Sequence, residues 1–490
     1  MSTRQQGKKG LSQEMQMLRE ENGRLHRIVE QLKAEIRVLS AENQTLKSQI
    51  AKNSHNSGKP PSSDGYNKPK PKSQRKRSGK KVGGQEGHEG VTLEPVENPD
   101  VIEKCEVGDI CERCGASLED VETITHKCRQ QVDVTPSEPQ VTEFQAEVKK
   151  CVTCGFLNVA KFPKGITHRV QYGPRVKAYA AYFNHYQYLP YERSQEIFQD
   201  CFSLHLSQGT LVNAIDTCHK KLEASSEHIK QAIISSKQAH FDETGLRVKK
   251  KLHWLHSAST QRLTHYDIHQ KRGHLAMDDI GILPDFSGCA IHDHLKSYFT
   301  YACEHSLCNA HHIRELVYSE EQFDQQWAMK MRKFLVEIKD IVENRKVLGH
   351  TELTLSERNR FSRKYSRILR EGLPEIPEVP PPENKRGKPK QHKSKNLLDR
   401  LRDYKRETLR FMYNFDIPFD NNLAERDIRP TKVKQKISGC FRSKIGSERF
   451  CRIRGYISTV RKNDMHVLQS LTSVFQGTPM LPKFLEENNG

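Results

Sequence analysis

Long apolar runs are missing from this 490-residue chain. No stretch approaches the roughly 18 apolar residues that a membrane span needs. The N-terminus also lacks the apolar centre of a secretory leader. The expectation is a soluble, intracellular protein with no membrane partner. Acids are in deficit: 61 Asp and Glu against 80 Lys and Arg leave a formal net charge of +19. That balance suits a polyanion, most often nucleic acid, although a merely soluble basic protein carries the same signature. A disulfide framework is missing too. The 13 cysteines are odd in number and mostly scattered, which in a reducing compartment favours free thiols plus a metal site. The length suits about three domains.

What is present begins with a heptad. Leu11, Leu18, Leu25, Leu32, Leu39 and Leu46 recur every seven residues, with Met15, Asn22, Val29, Ile36, Asn43 and Ile50 at the matching positions. Such a pattern predicts a left-handed coiled coil over 11–50, and the two asparagines favour a two-stranded, in-register pair. A helix packed on its own domain is the competing reading. Residues 51–95, including "KPKPKSQRKRSGKK", hold too few large aliphatics to offset ordering entropy. They are expected as a disordered basic linker. Lys76, Arg77, Lys80 and Lys81 within it could neutralise phosphates without reading sequence; a solvated tether explains them equally.

Residues 100–162 contain "CERCG" and "CVTCG". Cys111, Cys114, Cys151 and Cys154 form two knuckles, each followed by a glycine that lets the backbone fold back. Four thiolates make a closed tetrahedral site for one structural Zn²⁺. Between the knuckles, "QVDVTP" and "VTEFQAEVKKC" are expected as strands. Residues 165–235 read as helices, with Ser207 as an N-cap. Two helices joined by a short turn resemble a DNA-binding helix-turn-helix, and ordinary helix packing fits as well.

From residue 236 the period changes to that of strands. "KQAHFDETGLRV", "KLHWLHSAST" and "LTHYDIHQKRG" form a meander; after a helix come "FSGCAIHDHLKSYFTY" and "EHSLCNAHHIREL". An acid on the first strand, Asp242, and another after the fourth, Asp293, follow the order of an RNase H-like α/β domain, expected over 236–465 with an all-α insertion at about 313–415 and a tail at 466–490. The third acid is expected from a later helix, and Glu425 in "PFDNNLAERDIRP" is the candidate. Taken alone, that phrase reads as a capped helix start, with Asp420, Asn421 or Asn422 as cap and Glu425 paired to Arg429. Three carboxylates about one point instead need divalent cations, two Mg²⁺ or Mn²⁺ ions that activate an attacking oxygen and stabilise the leaving one. Arg426, Arg429, Lys432, Lys434, Lys436, Arg442 and Lys444 would then face phosphates.

The zipper, the linker phrases "NSGKPPSSDG" and "GGQEGHEG", the two knuckles, "YGPRVKAY", "DETGLRV" and "DNNLAERDIRP" together resemble transposases of the insertion sequence 66 family over nearly the whole chain. The resemblance implies a DDE triad of Asp242, Asp293 and Glu425 on an RNase H-like fold in a bacterial cytoplasmic, nucleoid-associated protein. It also matches Cys308 and His311 to a family Cys-x2-His phrase. For these two, packing beside the active site is favoured over a metal role, because a lone Cys-x2-His lacks partners. Asn421 and Asn422 could position DNA or water, or cap the helix. "IHDHLKSYFTY" departs from the family's usual Asp-Gly-Tyr phrase.

The whole is therefore expected to be multidomain: coiled coil, four-cysteine zinc ribbon, α-helical DNA-binding region and α/β catalytic domain. The implied function is Mg²⁺-dependent DNA transposition, by hydrolysis and strand transfer at element ends. Its expected partners are DNA, a second copy through the coiled coil, and accessory proteins of the same element. The alternatives are a non-catalytic DNA-binding regulator and an RNase H-like nuclease without strand transfer.

Overall fold

The computed structural model describes residues 2–53, 56–57, 94–134, 138–377 and 391–486. Lys76, Arg77, Lys80 and Lys81 lie outside the described residues. The chain divides into two compact units, Met1–Pro71 with Ala146–Ser194 and Ser207–Gly490, and Lys72–Gln145 with Gln195–Leu206. The architecture is mixed α/β. Among the described residues no helix is long and apolar enough to cross a membrane.

The first element is a single helix, α1 (Ser2–Ile50). Its Leu18, Leu25, Leu32, Leu39 and Leu46 are all exposed, as a helix displaying one apolar stripe requires when a single chain is viewed. In the smaller unit the first knuckle is a tight turn: Cys111 N–H donates to the Ala116 carbonyl and Gly115 N–H to Cys111. The second knuckle, in the larger unit, repeats that pair of bonds, from Cys151 to Phe156 and from Gly155 to Cys151. It closes a hairpin of β1 (Val148–Lys150) and β2 (Leu157–Val159). Gly115 and Gly155 hold φ of +73° and +72°, the left-handed region that explains a glycine after each second cysteine. The expected longer strands are corrected. Residues 131–134 and 141–147 form no strand, and Val132, Val134 and Val141 stay exposed without a pairing edge.

Four helices follow: α2 (Pro174–Ala181), α3 (Tyr191–Phe202), α4 (Gln208–Lys221) and α5 (Glu223–Ile234). Ser207 caps α4 by accepting the Thr210 N–H. The apolar face of α4 is not free. Ile215, Cys218 and Leu222 share a core with Ala178 and Ala181 of α2 and with helices from the far end of the chain.

The sheet has five strands: β3 (Gln238–Val248), β4 (Lys251–Ser259), β5 (Thr264–His269), β6 (Cys289–His292) and β7 (Glu304–Leu307). Their spatial order is β5-β4-β3-β6-β7. The first three pair antiparallel, while β6 and β7 continue parallel to β3. The crossover from β5 to β6 carries α6 (His274–Ile280). Period-2 alternation on β3 sorts its side chains between two layers. Ala239 and Phe241 join a core with Ile229 and Ile233 of α5 and Met277 of α6. Leu246 and Val248 join another with Ile428 and Phe450.

After β7 comes an all-helical region with its own core: α7 (Asn309–Phe323), α8 (Gln326–Val347), α9 (Leu355–Gly372), α10 (Lys393–Asp403), and the short α11 (Lys405–Thr408) and α12 (Arg410–Tyr413). Trp327 fills it, and Gly372 is required there because a Cβ would lie 2.4 Å from the indole. The region's two ends meet: Asn309 N–H donates to the Phe419 carbonyl (3.1 Å) and Asn421 N–H to Cys308 Sγ (3.1 Å). The chain then returns to the sheet as α13 (Asn422–Ser438) and α14 (Lys444–Lys462). Residues 466–486, expected as a tail, instead form α15 (Val467–Gln476) and α16 (Lys483–Glu486); Leu471 and Val474 are fully buried against α2 and α14.

Candidate active site

Asp242 sits midway along β3. The parallel pairing of β3 and β6 matches His240 to Ile291, so Asp242, inside β3, and Asp293, just past the end of β6, each fall two residues beyond a paired position on neighbouring strands. Two tethers bring α13 to the same place. Asn421, buried, donates from Nδ2 to the Phe241 carbonyl (2.8 Å), and its Oδ1 accepts from His240 Nδ1 (2.8 Å). Eleven residues later Lys432 Nζ donates to the Gly245 carbonyl (2.7 Å). About 16 Å of helix thus runs beside about 13 Å of strand, and Glu425 lies between the anchors, as Asp242 does.

The electrostatics follow from that placement. Burial raises the Asp242 carboxyl well above its ordinary value, and the negative charges of Glu243, Asp293 and Glu425 raise it further. Its one hydrogen bond described here is local, Oδ1 accepting the Glu243 N–H (2.9 Å). Asp293 Oδ1 accepts the Leu295 N–H (3.0 Å). Glu425 Oε1 is buried without a hydrogen bond; Arg314 Nη1 stands 3.5 Å away and His311 Nε2 3.8 Å. A partly buried, like-charged group of hard oxygens, met only at its edges by Arg314 and by Arg272 (3.9 Å from Asp293), fits divalent magnesium or manganese.

Three further residues at the site are new. Glu243, adjacent in sequence to Asp242, points to the other face of β3. It is clamped by Arg272 (Nε to Oε1, 2.7 Å) and by Tyr298 (Oη to Oε2, 2.7 Å). Arg272 lies over the Trp254 ring at 4.8 Å and comes to 3.9 Å from Asp293. Burial, and then the charge of Asp293, raise the Glu243 carboxyl despite these donors. The sequence held one signal for this: in an alternating strand, two neighbouring acids must face apart.

Several expectations change. The start of α13 is not capped by Asn421, whose side chain is spent on β3; Asp420 Oδ1 accepts the Asn422 N–H instead (3.0 Å). Glu425 faces Arg314 and His311 rather than Arg429. Of the expected phosphate-facing residues, Arg426, Arg429, Lys436, Arg442 and Lys444 are exposed. Lys432 is held on the β3 backbone, and Lys434 lies over the Phe441 and Phe450 rings (5.6 and 5.7 Å). These two ammoniums serve the fold.

His294 accounts for the departure after Asp293. Its φ is +82°, a backbone state that favours glycine. The imidazole holds it by packing edge-on against Tyr404 (4.6 Å), and the backbone N–H of His294 donates to His292 Nδ1 (3.2 Å).

In each knuckle the thiol is primed. Hydrogen bonds from the Cys154 and Thr153 backbones lower the Cys151 thiol to about 7, and the Arg113 and Cys114 backbones lower Cys111. Thiolate is the form that zinc takes.

The Transposase IS66 family matches residues 169–449, more than half of the chain. The chain belongs to that family. Residues 5–94 match a second family, one of unknown function. No curated protein matches. Membership in the IS66 transposases supports a transposase function and, with it, DNA binding. The family match ends before most of α14 and all of α15, although both helices complete the core around α2 and α4.

Proposed function

We propose that this IS66-family protein is a DDE transposase with an RNase H-like catalytic domain, cleaving and joining DNA at the ends of its own element. The observation that carries the reading is Asp242: a partly buried carboxylate with no ion pair among the described residues, flanked by Asp293 and drawn to Glu425 by α13. The strand order, with three antiparallel strands extended by two parallel ones, supports the fold.

Asp242, Asp293 and Glu425 would hold the divalent ions, which when bound lower the cost of an attacking oxyanion and a leaving oxyanion on phosphorus. The chain's own residues do the rest. The Asn421 clamp fixes the pitch of α13 and so the reach of Glu425. Arg272, fixed by Glu243 and stacked on Trp254, limits where Asp293 can swing. Arg426 and Arg429, exposed on the same helix as Glu425, are placed for DNA phosphates and would fix the scissile strand's path.

The remaining parts are read to match. The exposed leucine stripe of α1 pairs with a second copy. The thiols of each knuckle are suited to structural Zn²⁺. The linker lysines and arginines add affinity that does not depend on sequence.

The test is strand cleavage of a labelled fragment carrying the gene's own flanks, in Mg²⁺ or Mn²⁺, by wild type beside Asp242→Asn and Glu425→Gln. Boundary cleavage by wild type alone is the expected result. Binding without cleavage, equal in all three proteins, would favour a DNA-binding regulator. Cleavage with no joined product would favour a nuclease.

A further inference from the structure

Among the described residues, one group of three or more metal-ligating side chains brings its ligand atoms within 4.8 Å of one another. It is Cys308, His311 and Glu425. The three expected catalytic acids are not drawn that tightly. We propose that Cys308, His311 and Glu425 form a site for a borderline-soft divalent cation, zinc being the natural occupant, distinct in chemistry from the all-oxygen site that Glu425 would share with Asp242 and Asp293.

The geometry comes from two helix starts facing each other. Cys308 immediately precedes α7, and His311 follows three residues later, so both lie on one side of its first turn. Glu425 lies in the first turn of α13. The bond from Asn421 N–H to Cys308 Sγ locks those two turns together. Two ligands about 2.0–2.1 Å from one tetrahedral ion sit roughly 3.4 Å apart, close to the 3.8 Å between His311 Nε2 and Glu425 Oε1.

Two observations point to an absent partner rather than to packing. Glu425 Oε1, the oxygen that faces His311 Nε2, is buried and makes no hydrogen bond, although a buried polar atom ordinarily finds one. The one competing cation at Glu425 described here is Arg314, at 3.5 Å. The donor set is also selective. A thiolate and an imidazole beside one carboxylate favour zinc over magnesium, which takes oxygen ligands and gives up water reluctantly. Burial pushes the Cys308 thiol up to about 12, against the lowering effect of the backbone N–H groups on its sulfur, so an incoming ion has to displace the thiol proton.

The site has a consequence that rests on the catalytic reading of Glu425. An ion held here engages the oxygen that would otherwise turn toward Asp242. Zinc binding and magnesium-dependent cleavage would then exclude one another at a single carboxylate.

The experiment reads metal first. The full-length chain carrying Cys111→Ser and Cys151→Ser, which disables the knuckles, is titrated with Co²⁺ and Zn²⁺. Thiolate-to-cobalt charge transfer and bound metal per chain are followed, with circular dichroism as the fold control. One cobalt equivalent with a thiolate band is expected. Adding Cys308→Ser should abolish the band and weaken zinc roughly tenfold or more. His311→Asn, at a partly exposed position, should weaken zinc similarly and serves if the buried cysteine variant misfolds. A band and affinity unchanged in both variants would overturn the site. The wild-type chain is then assayed for cleavage at fixed Mg²⁺ with rising Zn²⁺. Zinc bound through Cys308 without inhibition would leave the site standing and count against Glu425 as a catalytic acid.

Discussion

Two carboxylates one residue apart on β3 meet opposite surroundings. Glu243 faces a layer that supplies a guanidinium and a phenol, and both of its oxygens are engaged. Asp242 faces the α13 layer, where its charged neighbours in the fold are further acids. Glu243 is buried and Asp242 partly so, yet burial raises both carboxyls, so desolvation alone does not distinguish them. The contrast is in whether the fold completes the charge. Where it does, the residue holds structure; where it does not, the residue awaits something from solution.

The largest effect that could break this comparison is on cleavage. Asp242→Asn should lower metal-dependent strand cleavage roughly a thousandfold or more, while Glu243→Gln should keep measurable cleavage at a temperature where it is folded. A Glu243→Gln protein that melts like wild type yet cannot cleave would reverse the roles.

Stability should then separate the pair with opposite signs. Glu243→Ala leaves the buried Tyr298 hydroxyl and the half-exposed Arg272 without their acceptor, and is expected to cost about 3 kcal/mol in urea unfolding. Asp242→Asn removes repulsion and, in EDTA, should change stability by less than about 1 kcal/mol or raise it. Equal losses in both variants would mean that Asp242 has a partner in solution even without metal.

A smaller effect lies in pH. A carboxyl raised in the folded state holds its proton longer than in the unfolded chain, whose ordinary Asp value is 3.8. The native state therefore binds more protons, and unfolding free energy should fall as pH rises through that value to the raised one, then level off. Glu243 contributes in the same direction. In EDTA the slope should be shallower for Asp242→Asn, and saturating Mg²⁺ should flatten it in wild type. A slope indifferent to both would place the titration elsewhere.

The smallest expected effect concerns the neighbour of Asp293. His294→Gly relieves a left-handed residue by about 1–2 kcal/mol, less what its contacts with Tyr404 and Phe299 contribute. A net change within about 1 kcal/mol is expected in urea unfolding. A loss well beyond that would show that the ring contacts, rather than the backbone turn, hold Asp293 in place.

Much of the arrangement around Asp242 was legible because it is local. The alternation of "HFDETGLRV" placed the acid on a strand, and the strand sequence set the order of the sheet. What could not be read were contacts that the fold makes across distance. Arg272 comes to Glu243 from the loop after β5 and Tyr298 from a 3-10 turn (Lys296–Thr300) after β6, and nothing in their own neighbourhoods marks them. Lys432 and Lys434 looked like any basic run, yet the pitch of α13 turns them inward. Asn421 had the composition of a cap, but a buried amide facing an open strand carbonyl finds a better partner there. Cys308 and His311 lacked a third ligand in sequence because Glu425 lies beyond the whole helical region.

That helical region starts and finishes at one point, pinned by Asn309 to Phe419 and Cys308 to Asn421. Its length is accordingly almost irrelevant to the geometry of Glu425, since closing a longer loop adds cost only logarithmically. The region behaves as a cassette. Chain beyond the first turns of α7 that carry His311 and Arg314, up to residue 418, could be shortened, enlarged or exchanged for another folded domain without moving the acid, provided the two pins survive.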